Sequence, residues 1–164
     1  MWHTAIPLDA QIPHLAWTWP FYWIAYPFIV VGGGIALAKC DDEAFRRAIV
    51  ALAAMTIIGA LVQLVIPARA PWPAAPGAMQ QHFHDSALVM PFATMPSMHV
   101  AYSAVVAGLL STVYSHRLVR AAGIVLVLLI AISTLTLKEH LIVDAITGIA
   151  IALATLRWWR GSES

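Results

Sequence analysis

The chain has 164 residues, of which 61% are hydrophobic and only 10% charged, with a mean hydropathy of +0.80. Soluble domains carry about 25% charged residues, so water is not the main solvent of this chain. A net charge of +1 argues against nucleic-acid partners, and the single cysteine, Cys40, excludes an intrachain disulfide or a Cys-based zinc site.

In chain order, five apolar stretches are long enough to cross a bilayer, at about 20 residues per helix: 16–38, 44–66, 98–114, 119–137 and 140–159. They predict an all-α fold, a polytopic membrane bundle of about five transmembrane helices in one domain, 1–164. The first has the length of a span rather than a removable signal, and no basic segment precedes it. Trp17, Trp19 and Trp23 begin the first stretch, and Trp158 and Trp159 end the last, where aromatic belts mark membrane interfaces. Gly32, Gly33 and Gly34 suit a close helix contact, with a hinge as the other reading.

Basic residues in short loops stay cytoplasmic. Lys39, Arg46, Arg47, Arg117, Arg120, Arg157 and Arg160 fall at one side by this alternation, and only Arg69 and Lys138 at the other. The expected topology is therefore N-terminus out and C-terminus in. Residues 67–97, rich in Pro, Ala, Met and His, are too long for a simple connection and predict an extracytoplasmic lid with a short interfacial helix at about 80–90. His82, His84 and Asp85 in it form a His-x-His pair with too few ligands for a metal site, and a solvated polar face accounts for them.

Chemistry concentrates in two places. His140 and Asp144 open the last stretch, where i and i+4 share one helix face and a carboxylate can orient an imidazole. A catalytic pair and a structural pair account for them equally well. Pro96-Ser97-Met98-His99 opens the third stretch, with Ser97 as an N-cap whose neighbouring N–H groups attract phosphate. The predicted topology brings His99, His140, Asp144, Arg69 and Lys138 to one depth at the outer surface, which favours a site.

On these residues the chain resembles the type-2 phosphatidic acid phosphatase superfamily, which shares its catalytic fold with vanadium haloperoxidases. Its Pro-Ser-x-His motif stands as Pro96 to His99, and its Ser-Arg-x5-His-x3-Asp motif as Ser133-Thr134, His140 and Asp144. The run from Thr136 to His140 is similar to the Thr-Lys-Gln-His variant of many bacterial members. The resemblance runs from the second span to the C-terminus. It implies His140 as nucleophile, Asp144 as its partner and His99 as the acid that protonates the leaving oxygen. It also implies Arg69, Lys138 and Ser97 as phosphate ligands, with Ser133, Thr134 and Thr136 as further candidates, and needs neither metal nor cofactor. The implied substrate is a membrane lipid phosphate, hydrolysed through a phosphohistidine at the outer face of a plasma membrane of the bacterial kind. Three departures stand out. The Lys of the first motif, Lys-x6-Arg-Pro, is replaced by Val62, and Ala70 separates Arg69 from Pro71. Thr134 replaces the third-motif Arg, and five stretches rather than the usual six lead us to expect that an N-terminal helix of those members has no counterpart here. Similar departures mark inositol phosphorylceramide synthase-like enzymes, so a lipid phosphotransferase that passes a phospho-headgroup to an alcohol is the alternative. A non-catalytic membrane scaffold and a small transporter are the non-enzymatic ones.

Overall fold

The computed structural model of the protein describes residues 5–68, 70, 77–78, 81–82 and 95–161. The described residues form a bundle of five helices, which we label α1 (Ala16–Ala38), α2 (Asp42–Val65), α3 (Met98–Val113), α4 (Arg117–Thr136) and α5 (Ile142–Gly161). These lie within about two residues of the stretches expected from hydropathy. Four are long and apolar enough to cross a membrane. The exception is α3, whose 16 residues rise only about 24 Å against a hydrocarbon core of about 30 Å.

That shorter helix is the hub, packed against α1, α4 and α5. Its Val100, Ala101, Val105, Val106 and Leu109 are all buried, while large apolar side chains such as Val30, Leu64 and Leu118 face outward, more than two-thirds exposed. Such an inversion is what a lipid solvent permits, since association there rests on close packing by small residues rather than on escape from water. Ala36, Ala48, Ala51, Ala101 and Ala152 supply that packing in the core, around Met55 and Trp159. Two of the three consecutive glycines fit it too. A Cβ on Gly32 or Gly33 would meet Val106 at 3.1 or 3.4 Å, whereas Gly34 faces open space. Within α1, the backbone takes a π-helical turn at Phe28–Gly32 next to this contact.

Short connections fix the ends. Residues 39–41, 114–116 and 137–141 link successive helices, so the seven basic residues expected on one side do gather at one end of the bundle. There Asp41 caps α2 through Ala44 N, 2.7 Å away, Glu43 pairs with Arg46, and Trp159 Nε1 donates to Ala44 O at 3.3 Å. The Cys40 thiol donates to Ala36 O, and burial and then Asp41 raise its pKa, which makes it a poor nucleophile. The starts of α3 and α5 and the end of α4 meet at the opposite end. Most of the expected lid, with Arg69, His84 and Asp85, lies outside the described residues, and His82 is exposed.

Candidate active site

At that opposite end the loop from α4 to α5 carries His140. The helix α4 closes with Leu137 as its C-cap, after which Lys138 takes a left-handed conformation at φ 61°. Glu139 N donates to Thr134 O and Lys138 N to Leu135 O, the two bonds of a Schellman close. Glycine usually fills that left-handed position, because a side chain there costs roughly 1–2 kcal/mol. Here the side chain is put to use: Lys138 Nζ donates to the carbonyls of Asp9, at 2.9 Å, and of Ile12. The ammonium expected to hold phosphate thus anchors the N-terminal segment, and among the described residues two of its three N–H bonds have acceptors.

His140 lies in the loop and not on the last helix, which begins two residues later. Its proximity to Asp144 therefore arises from capping rather than from a shared helix face. Asp144, the third residue of α5, reaches back so that its Oδ2 accepts from Leu141 N at 2.8 Å, half of a capping box. The same Oδ2 lies 3.6 Å from His140 Nδ1. Asp144 is fully buried and His140 nearly so. Both neighbours, Leu141 and His140, meet Oδ2, while the buried Oδ1 has no hydrogen-bond partner among the described residues.

The next orphan N–H of α5, at Ile142, is satisfied from 133 residues away, by Asp9 Oδ1 at 2.9 Å. Asp9 Oδ2 accepts from Ile6 N at 2.8 Å. A short 3-10 helix, Pro7–Gln11, presents this buried aspartate. Leu15 N donates to Thr136 O at 3.0 Å, and the hydroxyls of Thr18 and Thr136 meet at 2.8 Å, so the N-terminal segment is stitched along the whole His140 loop. The Ser133 and Thr134 hydroxyls, both buried, donate to Ile130 O and Ala131 O in their own helix.

Facing this loop, the start of α3 carries His99. Its ring centroid lies 5.9 Å from that of His140. Tyr26 of α1 holds it through an Oη to Nε2 hydrogen bond of 3.0 Å, and the Tyr22 ring lies against it at 4.8 Å. Ser97 is the N-cap residue of α3 in an extended conformation, yet its hydroxyl makes no cap bond. Its N–H instead donates to Asp144 O at 2.9 Å, and its buried Oγ has no partner among the described residues. The two helices touch here because of Gly148: a Cβ at that position would stand 2.5 Å from Ser97 O.

Two imidazoles with ring centroids 5.9 Å apart, one beside a carboxylate, suit acid-assisted nucleophilic displacement at phosphorus. The comparison with protein families accords with that chemistry, for the model described as PAP2 superfamily matches residues 3–158. The chain belongs to the PAP2 superfamily. With membership comes phosphatase or phosphotransferase activity in general. The match begins before α1, earlier than the second span where the resemblance in sequence was expected to start. No curated protein and no solved structure matches the chain.

Asp9, Thr18, Tyr22, Tyr26 and Gly148 belong to this site's surroundings and were not expected from sequence. Asp9 had a legible signal, as the one acidic residue before Asp41. Tyr22 and Tyr26, four apart, share a helix face, as do Asp144 and Gly148.

Proposed function

We propose that this PAP2 member is a membrane lipid-phosphate phosphatase that works through a phosphohistidine at the extracytoplasmic face. The observation that carries the reading is the 5.9 Å separation of the His99 and His140 rings with Asp144 beside His140 Nδ1. With Nδ1 turned to the carboxylate, Nε2 of His140 attacks phosphorus. The bond from phosphorus to the lipid oxygen breaks, and His99 gives that oxygen its proton. Asp144 stabilises the imidazolium formed. Water then attacks the phosphohistidine, His99 takes the water's proton, and the nitrogen–phosphorus bond breaks to release inorganic phosphate.

The buried, unpartnered Ser97 hydroxyl supports a phosphate-binding role for this residue, since buried hydroxyls are nearly always hydrogen-bonded. Lys138 contributes its charge from the anchored position, and Arg69 supplies the second cation. Electrostatic stabilisation of the phosphoryl oxygens gives the largest share of the acceleration. The substitution of Thr134 for the third-motif arginine keeps a second reading in view, transfer of the phospho-headgroup to an alcohol as in inositol phosphorylceramide synthase-like enzymes.

Phosphate release from a panel of lipid mono- and diphosphates by the protein in nanodiscs, with and without an alcohol acceptor, tests both readings. Hydrolysis gives free phosphate without acceptor, and transfer gives a new phosphodiester only with it. Turnover of neither kind on any lipid phosphate, or turnover unchanged in His140→Ala, would sink the proposal.

A further inference from the structure

Away from the histidines, α3, α4 and α5 part to leave a groove of about 560 Å³. Its rim carries Arg120, in the first turns of α4, together with Arg157 and Arg160 near the end of α5. No carboxylate among the described residues pairs with any of the three. Of the three acids at the neighbouring start of α2, Asp41 caps the helix through Ala44 N, Asp42 is exposed, and Glu43 is engaged by Arg46 and lies 3.9 Å from Arg47. Below the rim the lining turns apolar. Gly108 forms part of the floor, where a Cβ would stand 2.5 Å from Leu156. Ile124, Leu128 and Leu153 line the walls, each more than half exposed, so the groove opens sideways to the region where lipid chains run.

Three guanidinium groups above an apolar cleft match one kind of ligand. Guanidinium forks bind phosphate oxygens bidentately, and basic pockets between membrane helices take anionic headgroups. A soluble anion would leave the walls uncovered. A second copy of the chain, docked symmetrically, would bring the same positive rim against this one. We propose that the groove binds one anionic phospholipid, its phosphate on Arg120, Arg157 and Arg160 and an acyl chain along Ile124, Leu128 and Leu153. This site is separate from the histidine cleft, since Asp144 and Arg157 are about 20 Å apart along α5. It stands whether or not the histidines catalyse.

The test uses the intact 164-residue chain, delipidated in maltoside micelles, with bound molecules counted by native mass spectrometry. It is titrated separately with dioleoylphosphatidylglycerol, dioleoylphosphatidylcholine and glycerol 3-phosphate. One phosphatidylglycerol should be retained, phosphatidylcholine at least about tenfold more weakly and glycerol 3-phosphate not at all. Replacing Arg120, Arg157 and Arg160 together by Gln should weaken phosphatidylglycerol on the order of 100-fold. Leu153→Trp fills the groove with every charge in place and should also weaken it; if the triple variant does not fold, Leu153→Trp and Arg157→Gln carry the test. Equal retention of the two lipids overturns the proposal, as does binding of glycerol 3-phosphate as tight as the lipid. So does undiminished phosphatidylglycerol binding in the folded variants.

Discussion

The consequences of single side chains can be separated by substrate and by substitution. His140→Ala should abolish turnover and leave no phosphoenzyme to trap with labelled substrate. General acid catalysis is worth about 10²–10⁴-fold, so His99→Ala should lose that much on a lipid monophosphate. It should lose far less on an aryl phosphate, whose leaving group scarcely needs a proton; equal losses on both would remove His99 from the acid role. Tyr26→Phe deletes the bond to His99 Nε2, and a lost hydrogen bond of about 0.5–1.5 kcal/mol predicts a fall of roughly 2- to 10-fold in kcat. Asp9→Ala leaves the N–H groups of Ile6 and Ile142 without their acceptor. That should cost about 1–3 kcal/mol by thermal unfolding in micelles, with Asp9→Asn, which keeps an acceptor oxygen, closer to wild type. At this scale the sequence shows His99, His140 and Asp144 through their spacing. It marks Asp9 as the one acidic residue before Asp41 but not what it caps, and it hides Tyr26, because a partner more than 70 residues away leaves no local pattern. Nor does it show that Lys138 anchors the N-terminal segment, where a left-handed backbone sends the ammonium to carbonyls that spacing does not reveal.

Among the elements, the contact of α3 with α5 sets the distance between the two histidines. Gly148→Ala would place a methyl 2.5 Å from Ser97 O, against backbone that cannot swing aside. The helices must separate, which should cost about 1–3 kcal/mol and lower kcat much more than a similarly destabilising change at the far end, such as Gly108→Ala. Comparable activity in the two variants at matched stability would show that this contact does not position the histidines. Helix existence and extent are legible from hydropathy, since each span is a long, mostly apolar run. The start of α5 is not, because His140-Leu-Ile-Val-Asp144 is as compatible with helix as with loop. Only the capping by Asp9 and Asp144 decides that the helix begins at Ile142.

The described residues have a polarity, with seven of the chain's nine basic residues at one end and His99 and His140 at the other. In a Cys40→Ser background, Ala78→Cys should react with an impermeant thiol reagent on intact cells, and Arg117→Cys only after the cells are opened. The reverse pattern would place the histidines at the cytoplasmic face. The architecture of the bundle follows from the alternation of apolar runs and charged loops, whereas the central position of α3 does not, since which helices it packs against is set by side-chain fit between elements distant in sequence. The bond from Asp9 to Ile142 spans 133 residues, so its two partners are synthesised far apart in time. At about 5–20 residues per second, Asp9 emerges from the ribosome roughly 7–27 s before the helix it caps exists. During that interval its carboxylate has to wait in water or among headgroups, because no nearby group can compensate it in hydrocarbon. The loop that carries His140 is thus completed only when the last helix inserts, and a nascent chain halted before that point holds α3 and His99 but no assembled cleft.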